Sequence, residues 1–234
     1  MLTFNFSNIY LSRGNKILDV GCGEGRHIFG AMDAQSGLNL FGVDMDIPSL
    51  EKSNEGLDFF REMDFNLVKF LQGSIYNLPF QDNELDIVIC SEVLEHLEDY
   101  NKAIQEIHRV LKPGGYFLAS VPSFMPEKIC WMLSKEYQNM PGGHVRIFKK
   151  SNILKVMHDH NFSLIQSEKY HAFHSAYWWL RCIFWKTQEN NFLVKVYKKI
   201  LERHILKKTP IMDVIEKLLN PILGKSISFY FKKN

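Results

Sequence analysis

Lys16-Ile-Leu-Asp-Val-Gly-Cys-Gly-Glu-Gly-Arg-His27 is the stretch whose reading decides the fold. Ile17, Leu18 and Val20 make the short apolar run that a buried parallel strand requires. Gly21, Gly23 and Gly25 follow at alternate positions, and Arg26 to Asp33 can turn helical. Strand, glycine turn and helix start form a nucleotide-binding unit for a physical reason. Residues without Cβ let the backbone approach a ligand, and a helix N-terminus offers free N–H groups. The dinucleotide fingerprint places its third glycine one position later, where this chain has Arg26. On these residues alone, a plain tight turn is the competing account.

The flanking segments extend the pattern. Leu38 to Val43 reads as a second strand, ending in Asp44-Met-Asp46. An acid at that point, about 20 residues past the glycines, suits ribose hydroxyls, because a carboxylate accepts two hydrogen bonds from a cis-diol. Ser49 to Phe60 carries the apolar stripe of a surface helix, and Phe65 to Leu71 reads as a third strand. Glu84 to Cys90 is a fourth strand, with Ser91-Glu-Val-Leu-Glu-His96 at the edge where open α/β sheets bind ligands. Asn101 to Leu111 is an amphipathic helix, which Lys112-Pro-Gly-Gly115 stops before a fifth strand at Tyr116 to Val121. Phe162 to Tyr170 and Ser226 to Phe231 read as strands six and seven. The segment between them is long for a connection and holds helical patterns at 192–206 and 211–219.

In this order and spacing, the segments resemble the class I S-adenosylmethionine-dependent methyltransferases, in particular a bacterial subgroup acting on small or lipid-like molecules. The likeness is carried by the G-x-G-x-G turn, the acid after strand two and Leu78-Pro-Phe80. Glu92-x-x-Glu-His96, Arg109-x-Leu-Lys-Pro-Gly-Gly115 and Gly143-His-Val-Arg-Ile-Phe148 complete it. The resemblance implies an α/β fold: a Rossmann-like, doubly wound seven-stranded sheet with strand seven antiparallel. Residues 1–234 would form one domain, and residues 171–225 a helical insert between strands six and seven that covers the site. The implied cofactor is S-adenosylmethionine. Asp19, Gly21, Cys22, Gly23 and Gly25 would hold its methionine part and Asp44 its ribose. Met45, Ser74 and Ile75 would surround adenine, and Ser91 and Glu92 would lie near the sulfonium. Ser74 stands where the family carries an acid, which leaves that contact in question.

Methyl transfer from a sulfonium needs positioning, exclusion of water and, for some acceptors, removal of a proton. His96 and His144 are the candidate catalytic bases, since histidine titrates near neutrality. No metal is expected: His158-Asp-His160 reads as solvated surface. Trp178, Trp179 and Trp185 fall within eight residues, and could line an apolar acceptor pocket, touch a membrane surface, form a dimer face or simply pack the insert. The net charge is +2, yet residues 181–234 hold 12 Lys/Arg against 4 Asp/Glu, so the preceding body is acidic. That body argues against nucleic acid as partner. A small-molecule or lipid acceptor is expected, with peripheral membrane contact through the insert as an option and oligomeric state open. A scaffold that binds cofactor without turnover is the main rival. Cys22, Cys90, Cys130 and Cys182 lie far apart with no C-x-x-C pair, which argues against disulfides and zinc. There is no basic start before an apolar stretch and no uncharged run near the roughly 20 residues of a membrane span. A cytoplasmic location follows as the expectation, at most peripheral at the inner membrane surface.

Overall fold

A computed structural model describes residues 2–60, 67–207 and 209–234. Strands β1 (Lys16–Val20), β2 (Asn39–Asp44), β3 (Leu67–Gln72), β4 (Leu85–Ser91), β5 (Leu111–Pro122), β6 (Phe162–Tyr170) and β7 (Ser226–Lys233) form one sheet in the order β3-β2-β1-β4-β5-β7-β6. The first five pair in parallel, while β7 runs antiparallel to both β5 and β6. Chain order reverses between β1 and β4, the switch point where such sheets open a crevice at their carboxyl ends.

Both faces of the sheet are covered, which is why its central strands are almost uninterruptedly apolar. Leu18, Val20, Val88 and Cys90 pack on one face with helix α3 (Tyr100–Val110), through Ala103, Ile104, Ile107 and Val110. Ile17, Ile87 and Ile89 point to the other face. There they meet Ile28 and Ala31 of helix α1 (Arg26–Ala34). The two-residue period of the strands produces this division.

Several boundaries differ from expectation. Helix α2 (Ile47–Leu57) starts two residues early, because Asp46 caps it by accepting a bond from Ser49 N at 3.0 Å. It ends before Phe60, where a single 3-10 turn takes over. Of the expected third strand, Phe65 and Asn66 lie outside the described residues. Leu111 already pairs with Leu85, and the Lys112-Pro-Gly-Gly115 turn is absorbed as a register shift inside β5. Helices α4 (Phe124–Leu133) and α5 (Lys135–Gln138) were not anticipated. Helix α6 (Lys150–Asp159) follows the Gly143–Phe148 segment, with Lys149 at its N-cap. The insert is helical as expected, with α7 (Ala172–Ile183), α8 (Phe192–Lys207) and α9 (Pro210–Leu223).

The residues ahead of β1 take a larger part than their number suggested. Phe4, Phe6 and Ile9 are buried with Ile28, Met32 and Tyr230. The Phe4 ring meets Tyr230 edge-on at 5.9 Å, and Asn5 N donates to the Tyr230 hydroxyl at 2.7 Å. The start of this segment reaches the ligand edge, where the Thr3 hydroxyl lies 2.9 Å from that of Ser91. Truncating Phe4, which is 2% exposed, should therefore cost about 3–5 kcal/mol in chemical denaturation. Phe192→Ala, at a side chain 75% exposed, should stay within about 0.5 kcal/mol of the wild type.

Candidate active site

The glycine turn after β1 is held by the end of β2. Gly21 N and Cys22 N both donate to Val43 O, at 2.7 and 3.2 Å. Gly23 N donates to Asp44 Oδ2 at 2.7 Å, and the Ser53 hydroxyl donates to Gly23 O at 2.8 Å. Gly21 has φ +69° and lies against Val93, so a Cβ there would collide. Gly25, at φ +80°, is the left-handed N-cap of α1. The backbone is thereby fixed around a hollow that side chains leave empty.

Beneath this turn lies a buried carboxylate with nothing to bind. Asp19 is 1% exposed, and neither of its oxygens has a hydrogen-bond partner among the described residues. Burial pushes its pKa up to about 8, against the pull of Arg26. A buried acid in this condition lacks a donor, and the α-ammonium of S-adenosylmethionine is a donor of the right charge. Ser91, at the end of β4, is 6% exposed and accepts a bond from Arg26 Nη2 at 2.9 Å. Its hydroxyl also lies 2.9 Å from those of Thr3 and Ser120, and Thr3 in turn lies 3.1 Å from His27 Nε2. Ser120 donates to Glu92 Oε1 at 3.0 Å. The residues expected around the sulfonium are thus one hydrogen-bonded group that includes the N-terminal segment.

The adenine-side residues are less uniform. Asp44 spends both oxygens on backbone amides, Oδ1 accepting from Asp46 N at 2.9 Å, though each oxygen keeps a further lone pair. Met45 is 72% exposed at the rim. Ser74 accepts from Tyr76 N at 3.3 Å. The Ile75 side chain belongs to the core, which leaves only its backbone for a ligand. Cys22 is also buried, with its sulfur turned toward Gly42.

Adjacent to Glu92 and Arg26 is a cavity of about 300 Å³ whose walls include His96, His144, Tyr137 and Trp178. A larger cavity, about 770 Å³, lies among Phe4, Tyr170 and Lys217 and holds none of the expected site residues. In the smaller one, Glu127 of α4 is fully buried and organises the wall. It accepts bonds from the Tyr137 hydroxyl at 2.9 Å, from His144 Nδ1 at 2.7 Å and from Lys225 Nζ. Burial alone would raise its pKa, but the His144 and Lys225 contacts outweigh that and hold it down near 2. His96 Nδ1 lies 3.2 Å from Gly143 O, and the two imidazoles sit 4.9 Å apart. An ionised carboxylate and a carbonyl only accept, so both Nδ1 atoms donate, and in the neutral form of each ring the lone pair is on Nε2. His96 and His144, named from sequence, are brought together here.

Sequence reasoning did not find Thr3, Glu127, Tyr137 or Lys225. The one available signal was Glu127, an acid one turn before Cys130 in a segment otherwise almost wholly apolar. Of the tryptophans, Trp178, Trp179 and Trp185 all pack against Cys130, Tyr137 and Cys182, and Trp179 Nε1 donates to Pro126 O at 3.0 Å. Only Trp178 also reaches the cavity. The run is chiefly packing.

The Asp19 environment makes a pH prediction. The native carboxyl keeps its proton up to about pH 8, whereas the unfolded one loses it near pH 4. Between those values the native state binds the extra proton, so stability falls as pH rises. Denaturation of Asp19→Asn at a series of pH values should show a flatter profile than the wild type.

A family profile described as a methyltransferase domain matches residues 11–177. An uncharacterised methyltransferase of Schizosaccharomyces pombe is 40% identical over 110 residues, 46% of this chain and 40% of its own length. A sterol 24-C-methyltransferase of Gibberella zeae is 37% identical over 114 residues, 47% of this chain and 28% of its own. The demethylmenaquinone methyltransferase of Staphylococcus epidermidis is 32% identical over 111 residues, 47% of this chain and 44% of its own. The chain thus spans less than half the length of each of these three relatives. The solved structure of the YcgJ protein from Bacillus subtilis shares the fold, with a TM-score of 0.61 at 21% identity over 94% of this chain and 92% of that one. The matched region contains the glycine turn, Asp44, Ser91 and Glu92, and the chain belongs to the class I S-adenosylmethionine-dependent methyltransferase family.

Proposed function

We propose that this chain transfers the methyl group of S-adenosylmethionine to an apolar, lipid-like acceptor that it meets at a membrane surface. One observation carries this reading. On the insert, Phe192 and Leu206 of α8 are 75% and 82% exposed, and Ile211, Leu218 and Ile222 of α9 are each 72% exposed. Helix α9 contains no buried residue at all. Lys195, Lys198, Lys199 and Lys207 share α8, and Lys217 lies on α9. Large apolar side chains left in water on one element mark a contact surface. Interleaved with lysines, they suit the interface of an anionic bilayer. No helix among the described residues is long and apolar enough to cross a membrane. Two relatives bear names for a sterol and for demethylmenaquinone, both apolar molecules.

Bound S-adenosylmethionine supplies an electrophilic methyl on sulfur. Asp19, the Gly21–Gly25 turn, Asp44 and the Ser91 group are the residues that would hold it. The chain's further work is to seat the acceptor and exclude water, a task worth about 7–11 kcal/mol of barrier in well-oriented systems. Trp178 and Tyr137 give the cavity an apolar wall, while the Nε2 lone pairs of His96 and His144 are the groups placed to act on an acceptor's polar end.

Two measurements test this. Asp44→Ala removes an anchor of the glycine turn together with the ribose acceptor, so S-adenosylhomocysteine should bind about 1.5–3 kcal/mol more weakly by calorimetry. Unchanged affinity would remove Asp44 from the site. In flotation, the wild type should rise with anionic vesicles at low salt and less so at high salt, since screening weakens each lysine's contribution. Leu206→Ser/Ile211→Ser should stay at the bottom. If the wild type floats with neither anionic nor neutral vesicles, the acceptor reaches the cavity from water.

A further inference from the structure

Outside the cofactor pocket, Glu95 lies beside the two cavity histidines. A Glu95 carboxylate oxygen and one ring nitrogen each from His96 and His144 lie within 4.8 Å of one another. Glu95 is fully buried, and neither oxygen has a hydrogen-bond partner among the described residues. His144 Nε2 lies 3.9 Å from its Oε1. The neighbouring groups are already committed. Glu92 takes the Ser120 hydroxyl, Lys225 gives its ammonium to Glu127, and Arg26 donates to Ser91. The two imidazoles are held by their Nδ1 atoms, one on a buried carboxylate and one on a backbone carbonyl. That is how proteins fix a metal-binding histidine, orienting the ring and leaving Nε2 as the ligand.

We propose that Glu95, His96 and His144 bind a divalent first-row transition cation at the mouth of the acceptor cavity. Two imidazoles and one carboxylate are donors that favour zinc, iron, cobalt or manganese over calcium and magnesium. Three protein ligands leave coordination positions open, as in catalytic rather than structural sites. His96 and His144 both line the cavity, so the open positions belong to whatever oxygen or nitrogen the acceptor brings there. The two histidines would then serve as ligands rather than bases. This deepens the reading of the acceptor cavity and rests on it, while the binding of the cation is measurable without any acceptor.

A second cluster, His171, His174 and Glu216, meets the same distance criterion. Its carboxylate lies 3.7 Å from His204 Nε2, and among the described residues neither Glu216 Oε1 nor His174 Nδ1 has a hydrogen-bond partner, so no bond at Nδ1 orients that imidazole. It therefore serves as the control. The experiment uses the full chain, dialysed against chelator and titrated with Zn²⁺ by calorimetry and with Mn²⁺ by electron paramagnetic resonance. The wild type should bind one cation. Glu95→Gln and His144→Ala should each weaken it at least tenfold, and Glu127→Gln, which removes only the support of His144, about 10–100-fold. His171→Ala/His174→Ala should bind as the wild type does. S-adenosylhomocysteine affinity, measured on every variant, should not change and shows that each is folded. No binding of either ion in the millimolar range would overturn the proposal. So would wild-type binding in Glu95→Gln and His144→Ala, or loss of binding in the His171/His174 variant. Failure of S-adenosylhomocysteine to bind the wild type would instead strike the cofactor reading, whatever the cation does.

Discussion

The strand laid down last in the sequence holds the molecule together. β7 lies between β5 and β6 and pairs with both, so its backbone groups are satisfied on two sides while Phe229, Tyr230 and Phe231 are buried. A buried strand with one open edge would leave N–H and C=O groups without partners, at a cost of a kcal/mol or more each. Everything that shapes the acceptor side hangs on this strand. Tyr230 and Ser228 receive the N-terminal segment, through Asn5 and the Thr3 carbonyl. Lys225 stands one residue before the strand, its carbonyl accepting from Ser123 N at 2.8 Å, and delivers its ammonium to Glu127.

That ammonium is why a fully buried carboxylate can exist at Glu127. Taking two charges out of water costs more than their attraction returns unless every remaining lone pair finds a donor. Glu127 has Lys225, Tyr137 and His144. Glu92 has Ser120, and Glu95, on the same turn, has none among the described residues. An apolar residue at position 95 would suit folding better, so an orphaned acid is better explained by something it binds. Its location agrees: these acids gather at the carboxyl edge beside the switch point, the part of an open α/β sheet that meets ligands.

The parts of this arrangement legible in sequence are those encoded by local chemistry. Ile17 to Val20, apart from Asp19, and Ile87 to Cys90 are apolar because both sheet faces are covered, and Gly21 marks where β1 must stop. β6 was readable to the residue, and β7 from its first residue onward. What was not legible depends on distant partners. Glu127 looks like a surface acid until Lys225, 98 residues later, is found beside it. Thr3 is one polar residue near the start until β4 presents Ser91. The tryptophans near the start of the insert carried the stronger aromatic signal, yet α4 and α5 partly cover them, and the most exposed apolar side chains of the insert sit on α8 and α9. Sequence periodicity shows that a helix has an apolar face; it does not say whether another element will cover it.

The insert is consequently a two-sided device. Its ends are tied together: Ala172 N donates to Asn220 Oδ1 at 3.0 Å, and the Ser175 hydroxyl to Leu223 O at 2.5 Å. Closing an excursion this way fixes its orientation, because the entropy of a long loop grows only slowly with its length once the ends are joined. Helix α7 turns its inner side to the cavity through His171, His174 and Trp178. Helices α8 and α9 pack on α7 and leave Leu206, Ile211 and Leu218 outside. Helix α7 and the α8–α9 layer, each about 10 Å thick, stand between the cavity and the surface proposed to meet the bilayer. The proposed cation lies on the cavity side of these helices, where the acceptor's polar atom would be the part to arrive.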